Sequence, residues 1–373
     1  MKFQSSSNLE LYFLIICCLY YPKRLVYKIL AVIYIMVNAK TVKLDIIDQK
    51  ILTVLIKNSR ASALEVAKII KHNYPTVINK INKLIDNGVI RSFYPILQFP
   101  GIGIRRYMGV YLKLKDLSEL EQNRLISDLA KNPFLIHVYE LEGVWNIFLL
   151  LTTNYIKEAR DTMDFVKQRC KENLVSFILM PTFTISPLNR KFFLDIEFEV
   201  KHEDKFPLVH LEREVKLDSI DIKILDYLRL NAKAPLEEIA RVVKLQSSAL
   251  IYRLNKYLKI NLIRYYSIDI DPEILGYSQY LMFINMQGDT QAKDSLIKYL
   301  KENVKQAYHY FEYIGHWELV ITFCVKSREE MDKIKNEIMN KFRDEIKANE
   351  VVWLKKRHKF EPYPEVKLVY PKS

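Results

Sequence analysis

The chain has 373 residues, of which 50% are hydrophobic. That length predicts about two to four domains that can fold around apolar cores without disulfides. Lys and Arg outnumber Asp and Glu by 57 to 44, so the formal net charge is +13. This excess favours an acidic polymer as partner, with nucleic acid ahead of membrane, over a lysine-rich composition that only aids solubility. The four cysteines lack metal-ligand spacing, which argues against a disulfide scaffold or a zinc site and favours a reducing cytoplasm.

Residues 1–40 form an apolar N-terminal segment. A Pro-Lys-Arg triplet separates two apolar runs, at 11–21 and 25–37, and each run is shorter than the ~20 residues of a membrane-spanning helix. No signal-peptide cleavage pattern follows. Two interpretations stand: a membrane anchor through residues 9–37, or an extraneous extension ahead of a native start at Met36.

An internal repeat follows. The segment KLDIIDQKILTVL at 43–55 returns as KLDSIDIKILDYL at 216–228. Aligning 43–103 with 216–276 without a gap pairs 20 identical residues in 61. The repeat predicts a duplicated module rather than a short motif.

Each copy begins with three short predicted helices. In copy one, apolar residues recur at helical spacing over 44–55, Ser62 and Glu65 form a capping box, and a third helix runs from Pro75 to a stop at 87–88. A strand-like segment comes next, as in a winged helix-turn-helix (HTH).

Copy two repeats this order. Pro235 stands in place of the capping serine and suits a first helical turn, and Ser247 is predicted to cap the third helix. The strand-like segment LIRYYSIDI then follows.

About 90 residues behind each head read strand, helix, strand, strand, helix, strand, which is the ferredoxin-like (βαββαβ) order. The predicted fold class is therefore α+β, with two winged HTH domains that are each followed by a ferredoxin-like domain. The predicted boundaries are the N-terminal segment at 1–40, winged HTH 1 at 41–98, ferredoxin-like domain 1 at 99–200, a charged linker at 201–213, winged HTH 2 at 214–271, ferredoxin-like domain 2 at 272–362 and a tail at 363–373.

The order and spacing of these features resemble the Lrp/AsnC family of transcription regulators over nearly all of the chain after residue 41. The residues that carry the resemblance are Leu44, Asp45, Asp48, Ile51, Leu52, Arg60, Glu65, Ala67, Gly88, Ile90 and Gly103, and in copy two Leu217, Asp218, Asp221, Ile224, Leu225, Glu238, Ala240, Ile263 and Gly276.

The resemblance implies a head that binds double-stranded DNA and a ferredoxin-like domain that mediates assembly and often binds an amino acid. A tandem chain then implies an intramolecular pseudo-dimer, or a homo-oligomer through the ferredoxin-like domains. It also implies two diverged heads reading half-sites about one helical turn (~34 Å) apart. No cofactor is expected.

The third helix of each head is expected to enter the major groove. The predicted DNA-contacting residues are Tyr74, Thr76, Asn79, Lys80, Lys83, Ser247, Ser248, Tyr252, Arg253 and Lys256. Two departures from the family pattern predict that copy one is the poorer DNA reader. His72 occupies the position of Leu245, and Lys71 and Lys244 stand where the family often has glycine.

Two hairpin turns resemble the family's glycine, any residue, aromatic, acid signature near its amino-acid site. Their residues are the candidate effector-binding set: Gly143, Trp145, Asn146, Gly315, Trp317 and Glu318. Asn146 replaces the acid, and a plain structural hairpin is the alternative for both turns.

His137 and His309 occupy matching positions, each six residues before the glycine of these turns. Siroheme decarboxylases share this architecture and place a histidine, followed by a tyrosine, near the same strand, but their Trp-Pro-Tyr-Asn stretch is absent. A tetrapyrrole enzyme is therefore the minor alternative, beside a sensing or assembly protein whose heads no longer bind DNA. No catalytic or metal-binding residues are predicted.

Overall fold

The structure is a computed structural model that describes residues 41–104, 106–200, 215–287 and 290–370. The predictions made on 1–40 and on the linker at 201–213 lie outside the described residues. Among the described helices, none has both the length and the apolar character that a membrane span requires.

The first copy contains three helices, a strand and a ferredoxin-like unit. Its elements are α1 (Ile46–Lys57), α2 (Ala63–Ile70), α3 (Tyr74–Asp86), β1 (Ile90–Leu97), a 3-10 turn (Phe99–Ile102), β2 (Arg106–Leu114), α4 (Glu119–Ala130), β3 (Leu135–Glu142), β4 (Ile147–Thr153), α5 (Ile156–Cys170), a 3-10 turn (Lys171–Asn173) and β5 (Leu174–Pro187).

The second copy has the same order of elements and adds a short terminal helix. Its elements are α6 (Ser219–Leu230), α7 (Leu236–Val243), α8 (Ser247–Lys259), β6 (Ile263–Ile270), β7 (Ser278–Met286), α9 (Thr290–Asn303), β8 (Ala307–Tyr313), β9 (Leu319–Val325), α10 (Arg328–Lys341), β10 (Ile346–Phe360) and α11 (Val366–Val369). We refer to α1 to α3 as head 1 and to α6 to α8 as head 2.

Local sequence explains most helix starts. The predicted capping box of Ser62 and Glu65 is confirmed at α2, and Asp45 and Asp218 cap α1 and α6 in the same manner. The prediction that Ser247 caps the third helix is wrong. Ser247 is the first residue of α8, and Gln246 precedes it without a side-chain cap, because the chain enters the helix one residue earlier than the serine suggested.

The ferredoxin-like prediction is confirmed, and the two units merge. Their strands form one closed barrel in the order β10-β3-β4-β2-β5-β8-β9-β7. The copies meet at two antiparallel seams, which are the pairs β10–β3 and β5–β8. Buried aromatic and aliphatic side chains such as Tyr111, Phe148 and Phe283 fill the barrel, so the interior is packed rather than open.

A separate two-stranded ribbon joins the heads. It consists of β1 and β6, paired antiparallel with Leu97 opposite Ile263, and each strand leaves the head that precedes it.

The described part of the predicted tail, residues 363–370, packs into the core of head 2. Tyr363 is fully buried and its hydroxyl donates to the Leu225 carbonyl at 2.7 Å. The Asp226 carboxylate accepts the backbone N–H of Val366 at 2.6 Å. These contacts hold α11 against α6.

Candidate functional site

The third helices present part of the predicted DNA-contacting set to solvent. Six of the ten side chains are exposed: Tyr74, Asn79, Lys83, Ser248, Tyr252 and Lys256. The other four are partly covered: Thr76, Lys80, Ser247 and Arg253. Tyr252 is 72% exposed.

Lys80 and Arg253, at matching positions, are held by acids of their own heads. The ammonium of Lys80 contacts Asp45 and lies 3.0 Å from Asp48. Burial opposes the charged form, but the hydrogen bonds to these acids outweigh it and raise the pKa of Lys80.

Head 2 repeats this arrangement, with an acid that is more deeply buried than its counterpart in head 1. Arg253 lies 2.8 Å from Asp218 and also pairs with Asp221. The hydroxyl of Tyr257 donates to the same Asp221 oxygen at 2.5 Å. The side chain of Asp221 is only 4% exposed, so this network ties α8 to α6 before any DNA is bound.

The two heads also bind each other reciprocally. Arg60 donates to the carbonyl of Ala232, and Lys233, at the matching position of copy two, donates to the carbonyl of Ala61. Burial, with the charge of nearby Arg60, lowers the pKa of Lys233 to about 8. The contact fixes one head relative to the other.

The glycine turns lie at the far ends of the strands that carry the two histidines. Gly143 has φ +144° and Gly315 has φ +151°, a region that disfavours other residues. The Asn146 side chain accepts the backbone N–H of Leu114 at 2.7 Å, and Trp317 is buried in the barrel core. These contacts are structural, and effector binding by the turn residues stays a prediction.

A cavity lies between the ribbon and one end of the barrel. We call it the ribbon cavity. Its volume is about 210 Å³. Its walls come from the ribbon and from several barrel strands: Tyr94 to Leu97, Arg264, Asp269, His137, Tyr139, Ser186, Arg190, Tyr308, His309, Arg357 and Phe360, among others. The six turn residues do not line it.

The polar wall of the ribbon cavity carries three arginines and one acid. Arg357 makes a two-pronged ion pair with Asp269, at 3.0 and 3.1 Å, and both side chains are less than a tenth exposed. Arg190 donates to the Ser267 hydroxyl at 3.1 Å. Of the charged residues that line this wall, Asp269 is the acid and Arg190, Arg264 and Arg357 are the guanidinium groups.

His137 and His309 meet in this cavity because each lies at a seam. His137 is opposite Phe360 at one seam, and His309 is opposite Pro187 at the other. Burial, with the charge of Arg357, holds the pKa of His137 well below its usual value. Burial, with the charges of Arg190 and Arg357, lowers the pKa of His309 to about 3. Both imidazoles are therefore neutral at physiological pH.

The sequence did not indicate the arginines as a group. They come from the loop after β5, from β6 and from β10, and no local pattern links these positions. Only the matching histidine positions pointed to this part of the molecule.

Both heads match known families of DNA-binding domains. An AsnC-type helix-turn-helix domain model matches residues 217–258, and a winged helix-turn-helix DNA-binding model matches residues 44–91. An uncharacterised HTH-type transcriptional regulator of Pyrococcus horikoshii is 34% identical over 127 residues, which cover 34% of this chain and 80% of that protein. The chain belongs to the Lrp/AsnC family of HTH-type transcriptional regulators. A second relative, FL11 of the same organism, is 31% identical over 125 residues, 34% of this chain and 81% of FL11.

These relatives are the length of one module, whereas the duplicated fold resembles a solved structure along most of its length. The crystal structure of the siroheme decarboxylase NirDL aligns with a TM-score of 0.58 and 14% identity, over 84% of this chain and 92% of that one. A co-complex of NirDL with an iron-uroporphyrin III analogue aligns with a TM-score of 0.59 and 13% identity, over 86% and 94% of the two chains. This likeness shows the fold alone.

Proposed function

We propose that this Lrp/AsnC chain binds double-stranded DNA in a sequence-selective way through both heads, as a covalent pair of family modules. The observation that supports this most is the pair of exposed third helices on heads that reciprocal hydrogen bonds hold together. The exposed Lys83 and Lys256 would contact phosphates. The exposed side chains nearer the start of each third helix would contact bases: Tyr74 and Asn79 in head 1, and Ser248 and Tyr252 in head 2.

The heads are expected to read different half-sites. Asn79 and Tyr252 occupy the same position of the repeat, yet one offers an amide that suits adenine and the other an aromatic ring. A preferred site therefore need not be palindromic. Lys80 and Arg253 act here as supports of the helix, because carboxylates of their own heads already hold them.

Salt-dependent binding of the full chain tests the proposal. Binding sites would be selected from a random duplex library, and affinity would then be measured by fluorescence anisotropy over a salt series. We expect Lys83→Ala and Lys256→Ala each to weaken binding to all sequences and to lower the salt slope by about one.

Lys333→Ala is the matched control, since Lys333 is an exposed lysine on body helix α10. It should leave both affinity and slope unchanged. No selection of any sequence, or equal slopes for all three variants, would refute the proposal.

We keep tetrapyrrole decarboxylation as a second candidate, because one observation favours it. The two histidines that matched in the sequence meet in a single arginine-lined cavity, in a fold shared with NirDL along most of the chain. In such a reaction a carboxylate leaves as CO₂ and a proton takes its place, and Arg190 is placed to bind carboxylates.

Anaerobic incubation with siroheme, followed by mass spectrometry, tests this candidate. Loss of CO₂ from the substrate that disappears in His137→Ala and His309→Ala would support it. An unchanged substrate mass with the unaltered chain would exclude it.

A further inference from the structure

The first half of strand β5 is paired along one edge only. Its residues from 174 to 181 pair with β2, whereas the pairing with β8 on the other edge begins at Thr182 and ends at Pro187. Among the described strands, none pairs with this second edge between residues 174 and 180. We call this stretch the open edge of β5. At the usual rise per residue it is about 23 Å long.

The backbone of the open edge has hydrogen-bonding groups that point away from β2. The N–H and C=O of one strand residue point to the same side, and successive residues alternate. The Pro181 carbonyl points to the side of β8, because it accepts the backbone N–H of Ile314 at 2.9 Å. The amides of Leu179 and Phe177 therefore point to that side too, where the described strands offer them no pairing. Unpaired strand amides can bind a further strand.

The side chains along the open edge are apolar and accessible. Val175 is 53% exposed and Phe177 is 36% exposed, and Ser176 between them is also exposed. The segment LVSFILM at 174–180 contains no charged residue. Folded proteins usually protect an accessible edge strand with charges, so an apolar edge of this length indicates a contact surface.

The second copy protects the matching edge. Its strand β10 pairs with β7 from residue 346 and with β3 only from Trp353 onward, with the bulge at the matching position. Residues 346–352 are therefore paired on one side only, like the open edge of β5. Three polar or charged residues replace apolar residues of copy one here: Lys347 for Val175, Asn349 for Phe177 and Glu350 for Ile178. Two edges of the same geometry thus differ in sequence, and only that of copy one is suited to pairing.

The charge around the open edge indicates the kind of segment that would pair with it. The Lys167 ammonium lies 5.4 Å from the ring centre of Phe177. Lys113 lies opposite Ser176 in the β2–β5 ladder, so its side chain is on the other face of the sheet, because faces alternate along a strand. Both lysines are exposed. A strand added here would have an ammonium group near each face, which favours a segment that carries carboxylates.

We propose that the open edge of β5 docks an extended segment of a partner protein, which adds a strand to the barrel and carries both apolar residues and carboxylates. Main-chain hydrogen bonds to Phe177 and Leu179 would supply affinity, and the side chains of the segment would supply selectivity. This inference goes beyond the proposed DNA-binding function and does not depend on it, because the open edge belongs to the barrel and not to the heads.

The probe is a fluorescein-labelled peptide of four valine–glutamate repeats, titrated into the full chain and followed by fluorescence anisotropy. We expect saturable binding. An analogue with N-methyl groups on its central amides keeps every side chain and charge but loses backbone donors, so its affinity should be lower by about tenfold or more. A peptide of four valine–lysine repeats should also bind more weakly.

Absence of saturable binding by the unaltered chain would overturn the proposal. Equal affinity for the peptide and its N-methylated analogue would do the same, because it would show attraction by charge without strand pairing.

Variants of the chain place the binding on this edge. Phe177→Asn gives copy one the residue that copy two has at the matching position, and it should lower the affinity by about tenfold or more. Lys167→Glu should weaken binding of the glutamate peptide and strengthen binding of the lysine peptide. Tyr155→Asn is the matched control, since Tyr155 is an aromatic residue that is 58% exposed just before α5, and it should bind like the unaltered chain.

Equal affinity in Phe177→Asn, Tyr155→Asn and the unaltered chain would refute the assignment to this edge. Thermal melting identifies any variant that fails to fold. If Phe177→Asn is such a variant, Lys167→Glu and the N-methylated peptide carry the test.

A second copy of the chain is the competing occupant of the open edge. Light scattering over a range of concentrations distinguishes it from a partner protein. We expect the unaltered chain and Phe177→Asn to have the same mass. A larger mass that Phe177→Asn reduces to that of a single chain would overturn the proposal in favour of self-association through β5.

Discussion

Two lysines occupy a backbone conformation that favours glycine. Lys71 has φ +53° and Lys244 has φ +58°, and each ends the second helix of its head in the turn of the helix-turn-helix. The left-handed region costs residues with a Cβ about 1 kcal/mol or more, while glycine adopts it freely. The departure from the family pattern at these positions therefore affects stability.

Lys71→Gly and Lys244→Gly should each raise the free energy of unfolding by about 0.5 to 1 kcal/mol, because the backbone strain is relieved. Urea denaturation measures the change. Lys68→Gly is the control: Lys68 is exposed inside α2, and glycine there should lower stability by about 1 kcal/mol. A loss of stability in all three variants would contradict the explanation.

Burial of His137 and His309 should make stability depend on pH. Both pKa values are lowered on folding, that of His309 to about 3, while an unfolded histidine titrates near 6.5. Between these values the unfolded chain binds more protons, so stability is complete above pH ~6.5 and falls as the pH falls. The charges of Arg190 and Arg357 in the same cavity act in the same direction as burial.

His137→Gln and His309→Gln should each reduce the slope of unfolding free energy against pH by about 1.4 kcal/mol per pH unit well below pH 6.5. Urea denaturation from pH 7 to 5 gives the slope. The same slope in both variants and in the unaltered chain would show that the two imidazoles are not held neutral.

At the scale of the element, the third helix of each head is fastened to the first helix by acids, but the two fastenings differ. Asp221 binds both Arg253 and Tyr257 and is nearly inaccessible. Its counterpart Asp48 has a side chain that is 14% exposed and shares Lys80 with Asp45. Head 2 thus holds its third helix through a buried network, whereas head 1 uses a more exposed ion pair.

Asp221→Ala should lower the free energy of unfolding by roughly 3 kcal/mol, since it leaves the buried Tyr257 hydroxyl without its acceptor and leaves Arg253 with Asp218 alone. Asp48→Ala, the matched change in head 1, should cost only about 1 kcal/mol because Asp48 holds Lys80 alone, and Lys80 keeps Asp45. Urea denaturation of both variants measures this difference. Equal losses would show that the depth of the network does not matter.

At the scale of the whole molecule, the two copies share one barrel and one ribbon. The barrel closes through the seams β10–β3 and β5–β8, the ribbon pairs β1 with β6, and the heads exchange hydrogen bonds. In a closed barrel every strand has a neighbour on both sides. Strand pairing that could otherwise join two separate chains is therefore made between the two copies of a single chain. This accounts for the duplicated sequence in physical terms.

A protease site placed within 201–213 should therefore cut the chain without separating its halves. Size-exclusion chromatography with light scattering should show the same mass for the cut and the uncut protein. Urea should separate the halves only where the protein unfolds. Fragments that elute separately without denaturant would contradict a shared barrel.

The sequence by itself determined the family, the repeat and the local order of elements. Helical spacing, the Ser62 capping box and strand patterns depend on near neighbours, so residues such as Leu44 and Ile51 suffice to predict them. Those same local rules failed at Ser247, which is the first residue of α8 and not its cap. The exposed side chains of the third helices could be predicted for the same local reason.

Only the tertiary structure decided how the copies combine and where a ligand would bind. Arg190, Asp269 and Arg357 are distant in the chain, and they meet because two sheets close into one barrel under the ribbon. The ion-pair partners of Lys80 and Arg253 depend on helix packing in the same way, so the sequence did not indicate them. Charged residues that are far apart in the sequence interact only after the fold has brought them together. The periodicity of a sequence predicts local elements and does not predict such contacts.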